Sequence, residues 1–257
     1  MFNPILYKMK FFVVVICVVT QCLVAYSKTL PDHFPEPCKR SDKDFRGCVL
    51  KGLNKVGPYL LKGIPKYGVP KLDPIEIPLM VVNRTLNEFF GVEAVMKNIK
   101  IMGLSSTTIN DFKADLQKLS GEIKFTIPSA YLEMEFKVVG QLFSIPLKNE
   151  GFFRGNFTDA VDYIKGSLKT VVRDGVKYFV LDKFKAKATI SDGYVKMTSK
   201  NPQDQFAVDI ISNFYNENPR RTMDLINPLY VETATDFFKT IIEKGLARIP
   251  AEELLPE

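Results

Sequence analysis

Apolar and polar residues alternate strictly in the middle of the chain, which is the pattern of a β-strand with two unlike faces. The clearest case is the stretch "SAYLEMEFKVVG", residues 129–140. Charged side chains take one of its faces, and apolar side chains share the other: Leu132, Met134, Phe136 and Val138. Such an apolar face covers either a packed core or a cavity for an oily molecule, and the pattern leaves both interpretations open.

Strand-like segments follow one another from residue 75 to residue 197, with short turns of Gly, Asn, Asp or Pro between most of them. Because no clear helical pattern separates them, we expect an antiparallel sheet rather than β-α-β units. Four prolines between residues 65 and 78 predict an extended edge, since proline cannot donate to a central ladder. The segments with the clearest pattern are 95–104, 121–127, 130–139, 176–190 and 193–198.

Two segments carry helical periodicity instead. The first follows Ser41, a candidate N-cap, and ends near Lys62 and Gly63. The second begins with Asn218 as a candidate N-cap and Pro219 at the first helical position, and its spacing continues to about residue 246. The chain therefore combines one helix before the strands with a long helix after them.

The apolar positions of the last helix form two adjacent stripes, which together are wider than the roughly 100° that a surface helix buries. We therefore expect a curved sheet to enclose this helix. The strand "FKAKATI" offers a matching surface, because Ala186 and Ala188 are small and lie on its apolar face between Phe184 and Ile190. Small side chains at these positions leave room for a bulky partner.

The first 27 residues have the pattern of a secretory signal peptide. Lys8 and Lys10 precede an apolar run at 11–19, and Ala25 and Ser27 provide small residues before a cleavage site. The run is shorter than the roughly 20 residues that a membrane span requires, so a membrane anchor is the weaker alternative. We expect a secreted, extracellular mature protein of residues 28–257 that forms a single domain.

Secretion changes the interpretation of the cysteines, because Cys17 and Cys22 are removed with the signal peptide. In an oxidising compartment the remaining pair, Cys38 and Cys48, is expected to form a disulfide. A metal site is the weaker alternative, since the mature chain offers one histidine and two thiols. Asn83 and Asn156 begin sequons that predict glycosylation, although both also fit chance occurrence.

Charge and motifs exclude several classes of function. The formal net charge of +6 is spread among acids rather than clustered, which argues against a nucleic-acid partner. The one histidine, His33, lies in the amino-terminal arm, and neither a nucleophile elbow nor a phosphate-binding glycine motif is present. We therefore predict no catalytic residue, no cofactor and no metal, although paired carboxylates could still act as acids and bases.

Several stretches, taken in order, resemble one family. "LPDHFPEPCKRSDKDFRGC" contains a Cys-x9-Cys spacing and precedes a helix and "GIPKYGVPKLDPIEIP"; "NFYNEN" precedes the long helix, and "IPAEELLPE" closes the chain. Together they resemble the insect Takeout and haemolymph juvenile hormone binding protein family over the whole mature chain. The chain lacks the cysteines for the second disulfide of the haemolymph carriers, and it has no tryptophan. Where the family has a characteristic stretch before its last helices, this chain has "TSKNPQDQF" instead. The resemblance is therefore closest to the Takeout-like branch.

The resemblance implies an α+β fold in which a highly curved antiparallel sheet wraps the long C-terminal helix, with an internal hydrophobic tunnel between them. It also implies a carrier of a small hydrophobic ligand, such as a juvenile hormone-like terpenoid, a fatty acid or another lipid. Members of the Takeout branch are linked to feeding, circadian or chemosensory physiology. We expect a monomer without a stable membrane anchor.

Apolar side chains on the sheet and on the last helix are the candidates for the tunnel wall, because aromatic and methionine side chains form adaptable apolar surfaces. Any one of them could equally be an ordinary core residue. Tyr178 and Tyr230 could also offer a hydroxyl to the polar end of a ligand. The candidates are Met134, Phe136, Phe179, Phe184, Tyr230, Phe237, Phe238 and Ile241.

Two other functions stay open. A lipid-binding module acting at membranes or microbial surfaces would use the lysines along 176–190, namely Lys183, Lys185 and Lys187. A secreted hydrolase would turn over an ester and lose that activity when one Ser, Lys or acidic residue is replaced. A pure carrier would bind an apolar fluorophore stoichiometrically and do neither.

Overall fold

The computed structural model describes residue 30 and residues 34–87, 90–142 and 145–257, without the side chains of 84–92, 141–147, 226 and 228–230. The predicted signal peptide and His33 lie outside the described residues. The helices are α1 (Phe45–Lys62), α2 (Gln205–Glu217), α3 (Pro219–Leu246) and α4 (Ala251–Leu254). The strands are β1 (Ile75–Asn87), β2 (Phe90–Met102), β3 (Thr108–Asp115), β4 (Ser120–Leu142), β5 (Ile145–Arg173), β6 (Val176–Thr189) and β7 (Asp192–Ser199).

All seven strands form one antiparallel sheet, which confirms the predicted fold class. The main path runs β1-β2-β4-β5-β6, while β3 also pairs with β4 and β7 also pairs with β5. The two central strands are 23 and 29 residues long. A straight strand of 29 residues would reach about 96 Å, so these strands can belong to a domain of this size only by bending.

The bend has a defined position in both central strands. Ile127 of β4 pairs with Ala160 of β5 and Ser129 pairs with Thr158, so Pro128 stands opposite Asp159. Pro128 has no amide hydrogen to donate, and Asp159 takes a left-handed backbone conformation with φ 51°. The same point is where each central strand changes its outer neighbour, from β3 to β2 along β4 and from β7 to β6 along β5.

The bend divides the sheet into two halves. The β1–β7 half contains β1, β2, β7, the second part of β4 and the first part of β5. The β3–β6 half contains β3, β6, the first part of β4 and the second part of β5. Helix α2 packs on β7 in the first half, and α3 packs on β6 in the second, so each half has its own covering helix.

The strand predictions were correct in type and incomplete in extent. The predicted strands 121–127 and 130–139 are one continuous strand, because Pro128 bends β4 without ending it. Neither β3 nor the longest strand, β5, was among the predicted segments. In β5 the glycines and asparagines that look like turn residues lie within the ladder, where pairing on both sides overrides their local preference.

Helix α1 begins at Phe45, and its N-cap is Asp44 rather than the predicted Ser41. The Asp44 carboxylate accepts a hydrogen bond from the Gly47 amide at 2.9 Å, which satisfies one of the free donors of the first turn. Cys48 in this helix is joined to Cys38 of the incoming arm, so the predicted disulfide is confirmed. Both sulfurs are used in this bond, although Asp42 lies close to them.

Helix α2 was missed by the sequence analysis, and it covers the open edge of β7. Three of its polar side chains bind the free backbone groups of that strand: Gln205, Ser212 and Asn216. Asn216 is used twice, because its Oδ1 accepts from the Val195 amide at 2.8 Å and its Nδ2 donates to the Val195 carbonyl at 2.9 Å. These contacts close an edge that could otherwise pair with another chain.

Replacing Asn216 by alanine leaves both backbone groups of Val195 without these partners, and Val195 is 4% exposed. We expect the free energy of unfolding to fall by at least about 2 kcal/mol, since two buried groups lose their partners and each costs about 1–3 kcal/mol. Urea denaturation of the variant measures this loss. Asn213→Ala on the exposed face of the same helix is the control. Equal stability of the two variants would contradict the role of Asn216.

Candidate ligand cavity

Three apolar clusters occupy the interior. The first core cluster lies where the two halves of the sheet meet, and it contains Ile127, Ala160, Ile190, Val195, Tyr215 and Met223. The second core cluster joins the amino-terminal arm to the carboxyl-terminal segment, and it contains Leu30, Tyr67, Val69 and Ile249. The third core cluster lies beneath α2 in the β1–β7 half, and it contains Phe136, Val138 and Val208.

Helix α3 runs from the first cluster to the second. Met223 near its start belongs to the first cluster, and Ile241 near its end packs against the second. At 1.5 Å per residue these two side chains are about 27 Å apart along the helix axis. The length of α3 between them faces the β3–β6 half of the sheet, which α3 contacts through β6.

The inward face of the β3–β6 half consists of successive rows across β6, β5 and β4. The row of the first cluster is Ile190, Ala160 and Ile127. The next rows toward the second cluster are Ala188–Asp162–Phe125, Ala186–Ile164–Ile123 and Phe184–Gly166–Gly121. We call this inward face the floor beneath the helix. Because Ala186 and Ala188 are small and the Phe184 row contains two glycines, few side chains extend from the floor toward α3.

Helix α3 is fixed above this floor by a hydrogen bond. The side-chain amide of Asn227 donates to the Ala188 carbonyl at 3.1 Å, which places this turn of the helix at the Ala188 row. Strand rows are about 6.7 Å apart, which is slightly more than one helical turn. The next turns of α3, with Val231 and Ala234, continue from this point in the direction of the second cluster.

The described side chains leave accessible surface along this stretch. On the helix, Val231, Ala234, Phe237 and Phe238 are half-buried, and on the floor Phe184, Ala186 and Ile164 are half-buried as well. On the same inward face Ala188 is 6% exposed and Phe179 is 2% exposed, so the accessible surface lies in the rows between them. Inward-facing apolar side chains that keep accessible surface are not packed closely on all sides, which makes this stretch a candidate for ligand binding.

The predicted wall residues fall into two groups. Met134 and Phe136 lie in the β1–β7 half, where Phe136 is 5% exposed within the third cluster. The others lie along α3 or β6, namely Phe179, Phe184, Phe237, Phe238 and Ile241, and the rings of Phe237 and Phe238 meet edge to face at 5.4 Å. The Tyr230 side chain lies outside the described residues. A role for each of them in the wall remains a prediction.

Phe179 and Phe184 are five positions apart, which in a regular strand would place them on opposite faces. The pairing of β5 with β6 shifts between Ser167 and Leu168, and Asp182 is the extra residue on β6. A bulge of this kind reverses the alternation, so Phe179 joins Phe184 on the inward face. Tyr178 then points away from them, with the Arg173 guanidinium 5.6 Å from its ring centre.

Asp162 is the polar member of the inward rows, and it is not among the site residues predicted from the sequence. Its Oδ2 atom has no hydrogen-bond partner among the described residues, and burial raises the pKa of this carboxyl to about 6. The alternation in "DAVDYIKG" does contain the signal, because Ala160, Asp162 and Ile164 share one face. It could not be recognised there, because Val161 and Tyr163 make the opposite face equally apolar.

The outward face of the β3–β6 half is basic. Lys183, Lys185 and Lys187 are all exposed along β6, as predicted from their spacing. Next to them Lys165 forms an ion pair with Glu122, and the Lys124 ammonium lies 5.2 Å from the ring centre of Tyr163. Within the described part of the chain, no helix is both long and apolar enough to span a bilayer.

A separate surface pocket of about 490 Å³ lies at the start of α3. It is lined mainly by polar and charged residues: Ser191, Asp192, Asn218, Pro219, Arg220, Arg221 and Asp224. This lining does not suit an apolar ligand. The stretch between the first and second clusters is therefore the candidate ligand cavity.

Comparisons with known proteins agree with this architecture. The model of the haemolymph juvenile hormone binding protein (JHBP) family matches residues 12–256. The crystal structure of Takeout 1 of Epiphyas postvittana superposes with a TM-score of 0.72 at 19% identity, covering 87% of this chain and 100% of that chain. That likeness confirms the fold.

Two curated proteins are similar in sequence. "Circadian clock-controlled protein daywake" of Drosophila yakuba is 21% identical over 227 residues, which are 86% of this chain and 87% of that protein. The "Putative beta-carotene-binding protein" of Schistocerca gregaria is 30% identical over 115 residues. This second match spans 44% of the chain and 44% of the relative.

Proposed function

This chain belongs to the haemolymph juvenile hormone binding protein family, and from that premise we propose that it carries a small hydrophobic molecule between α3 and the β3–β6 half of the sheet. The observation that carries the proposal is the half-buried apolar lining between the first and second clusters. Such a lining gains free energy when a ligand covers it. The proposed role is therefore binding and transport rather than catalysis.

The dimensions of the stretch favour an extended ligand. A molecule that buries about 300 Å² of its own apolar surface gains about 7.5 kcal/mol, and the covered wall adds to this. Association itself costs at least about 4 kcal/mol. Shape and apolarity alone then support roughly micromolar affinity, which corresponds to about 8 kcal/mol.

The chemistry of the ligand is proposed at the level of class: a terpenoid, a fatty acid or another lipid. Support comes from one relative, whose name refers to beta-carotene, an elongated hydrocarbon. We also propose that the carrier is secreted, glycosylated and connected with circadian physiology. Asn83 and Asn156 are both exposed, as glycan acceptors must be, and another relative is named as controlled by the circadian clock.

A second candidate is a module that acts at lipid surfaces. The exposed Lys183, Lys185 and Lys187 favour it, because a row of lysines on one outward face attracts anionic headgroups. This candidate uses the outside of the β3–β6 half, whereas the carrier uses its inside. The two are therefore separable by experiment.

Native mass spectrometry of the secreted protein, followed by solvent extraction, tests the carrier proposal. We expect one apolar molecule per chain, and stoichiometric binding of an apolar naphthylamine fluorophore after extraction. The same preparation is sedimented with anionic vesicles at low and high salt. Absence of both ligand and fluorophore binding contradicts the carrier, and salt-sensitive sedimentation without fluorophore binding favours the lipid-surface module instead.

A further inference from the structure

Asp162 is surrounded by apolar neighbours on the inward face of the sheet. Phe125 of β4 and Ala188 of β6 flank it in its own row, and Ala160 and Ile164 precede and follow it on the same face of β5. Its Oδ2 atom is shielded from solvent and has no partner among the described residues. A carboxylate in this position is costly unless something else satisfies it.

Within the described part of the chain, neither an ion pair nor a hydrogen bond satisfies the Oδ2 atom of this carboxylate. On the outward face of the same strand, Lys165 pairs with Glu122 and shows how a charge in this sheet is normally satisfied. The two α3 side chains placed at this end of the sheet are neutral: Met223 belongs to the first cluster, and the Asn227 amide donates to the Ala188 carbonyl. The phenol of Tyr215, in the adjoining first cluster, stays neutral because burial and Asp192 raise its pKa to about 12.

Asp162 lies at a particular place in the candidate cavity. Its row is the first one beyond the first core cluster, about 6.7 Å from it. A ligand that extends from this row toward the second cluster passes over Ala186, Phe184 and the low floor beside them. One end of such a ligand meets Asp162, and the remainder meets apolar side chains.

We infer that Asp162 binds the polar end of the carried molecule, and that this end is a neutral hydrogen-bond donor such as a hydroxyl group. The inference rests on the proposed carrier function and specifies its ligand class. A hydroxyl donates to the carboxylate and supplies the partner that Oδ2 lacks. A fatty acid presents a second carboxylate to the first, and two like charges in an apolar site repel each other.

The expected selectivity follows from these charges. At pH 7.5 Asp162 is largely ionised, because this lies above its pKa of about 6. A long-chain alcohol then binds about 10-fold more tightly than the fatty acid of the same chain length, the preference that a single hydrogen bond to a charged group gives. Lowering the pH to 5 protonates Asp162 and reduces the preference.

The experiment measures displacement of the naphthylamine fluorophore by the alcohol and by the fatty acid, in the wild-type protein and in Asp162→Asn. We expect the 10-fold preference for the alcohol to fall close to one in the variant. The main cause is tighter binding of the fatty acid, because the asparagine amide can donate a hydrogen bond to its carboxylate. Between pH 7.5 and 5 the preference of the wild-type protein for the alcohol also declines by more than the preference of the variant does. Because the fatty acid itself titrates equally in both experiments, the difference between the two declines reports Asp162. Asp159→Asn, an exposed position of the same strand, is the control and keeps the wild-type preference.

Two results overturn the inference without touching the carrier proposal. One is a wild-type protein that binds the fluorophore and binds the fatty acid as tightly as the alcohol. This result is obtained without any variant. The other is an unchanged alcohol preference in Asp162→Asn. Failure of the wild-type protein to bind the fluorophore is different, because it contradicts the carrier function on which the inference depends.

Discussion

Replacing Ala186 by tryptophan is expected to weaken binding of the apolar fluorophore by about 50-fold. Ala186 lies on the inward face of β6 beside Ile164, one row beyond Ala188, whose carbonyl accepts a hydrogen bond from Asn227 of α3. An indole at this position occupies the space of a ligand segment. Displacing about three methylene groups at about 0.8 kcal/mol each accounts for the loss.

The stability of the Ala186→Trp variant also tests whether the interior at this position is open or filled. Overpacking a filled core typically costs about 1–3 kcal/mol, whereas a cavity accepts the new side chain with little loss. We therefore expect nearly unchanged thermal unfolding of Ala186→Trp together with the large loss of binding. Lys187→Trp adds the same side chain on the outward face of the same strand and serves as the control, since Lys187 is exposed. Unimpaired fluorophore binding by Ala186→Trp would show that the ligand does not lie between β6 and α3.

Removing the disulfide is expected to lower the free energy of unfolding by about 2.7 kcal/mol. Cys38 and Cys48 are separated by 10 positions, and the loss is the loop-closure entropy that the bond removes from the unfolded chain. For a protein of this length the unfolding midpoint falls by roughly 5–10 °C. The double variant Cys38→Ser with Cys48→Ser, followed by scanning calorimetry, measures the change without leaving a free thiol.

The disulfide also fixes the arm that contributes Leu30 and Phe34 to the second core cluster. The arm that it fixes pairs with the end of the chain, because the Arg40 amide donates to the Pro256 carbonyl at 2.8 Å. The second core cluster joins this arm to Tyr67 and Val69 and to Ile249 of the carboxyl-terminal segment. The wild-type protein with reductant should match the double variant, and Ser41→Ala in the same loop is the control. Unchanged stability of the double variant would mean that the arm unfolds separately from the rest.

The predicted elements succeeded where the local pattern agreed with the tertiary environment. Pro219 begins α3, Lys62 ends α1, and Ala188 of β6 and Ile190 just after it are buried, as their alternation predicts. The predictions failed where long-range contacts decided. Residues 205–217 form a helix whose polar side chains hydrogen-bond to the free backbone groups of β7. This role becomes apparent only when the position of β7 is known.

Sequence alone determined the alternating strands, the long last helix, the disulfide pair and the resemblance that indicates the family, because each depends on residue spacing or residue type. The tertiary structure decided which residues lie opposite one another in the sheet and which face of each strand is the inner one. The register of β4 with β5 puts Pro128 opposite Asp159, and the extra residue Asp182 puts Phe179 on the same face as Phe184. The packing of α3 on β6 makes the face that contains Asp162 the inner one. The physical reason is that strand pairing joins residues distant in the chain, and register assigns each side chain to the cavity or to solvent.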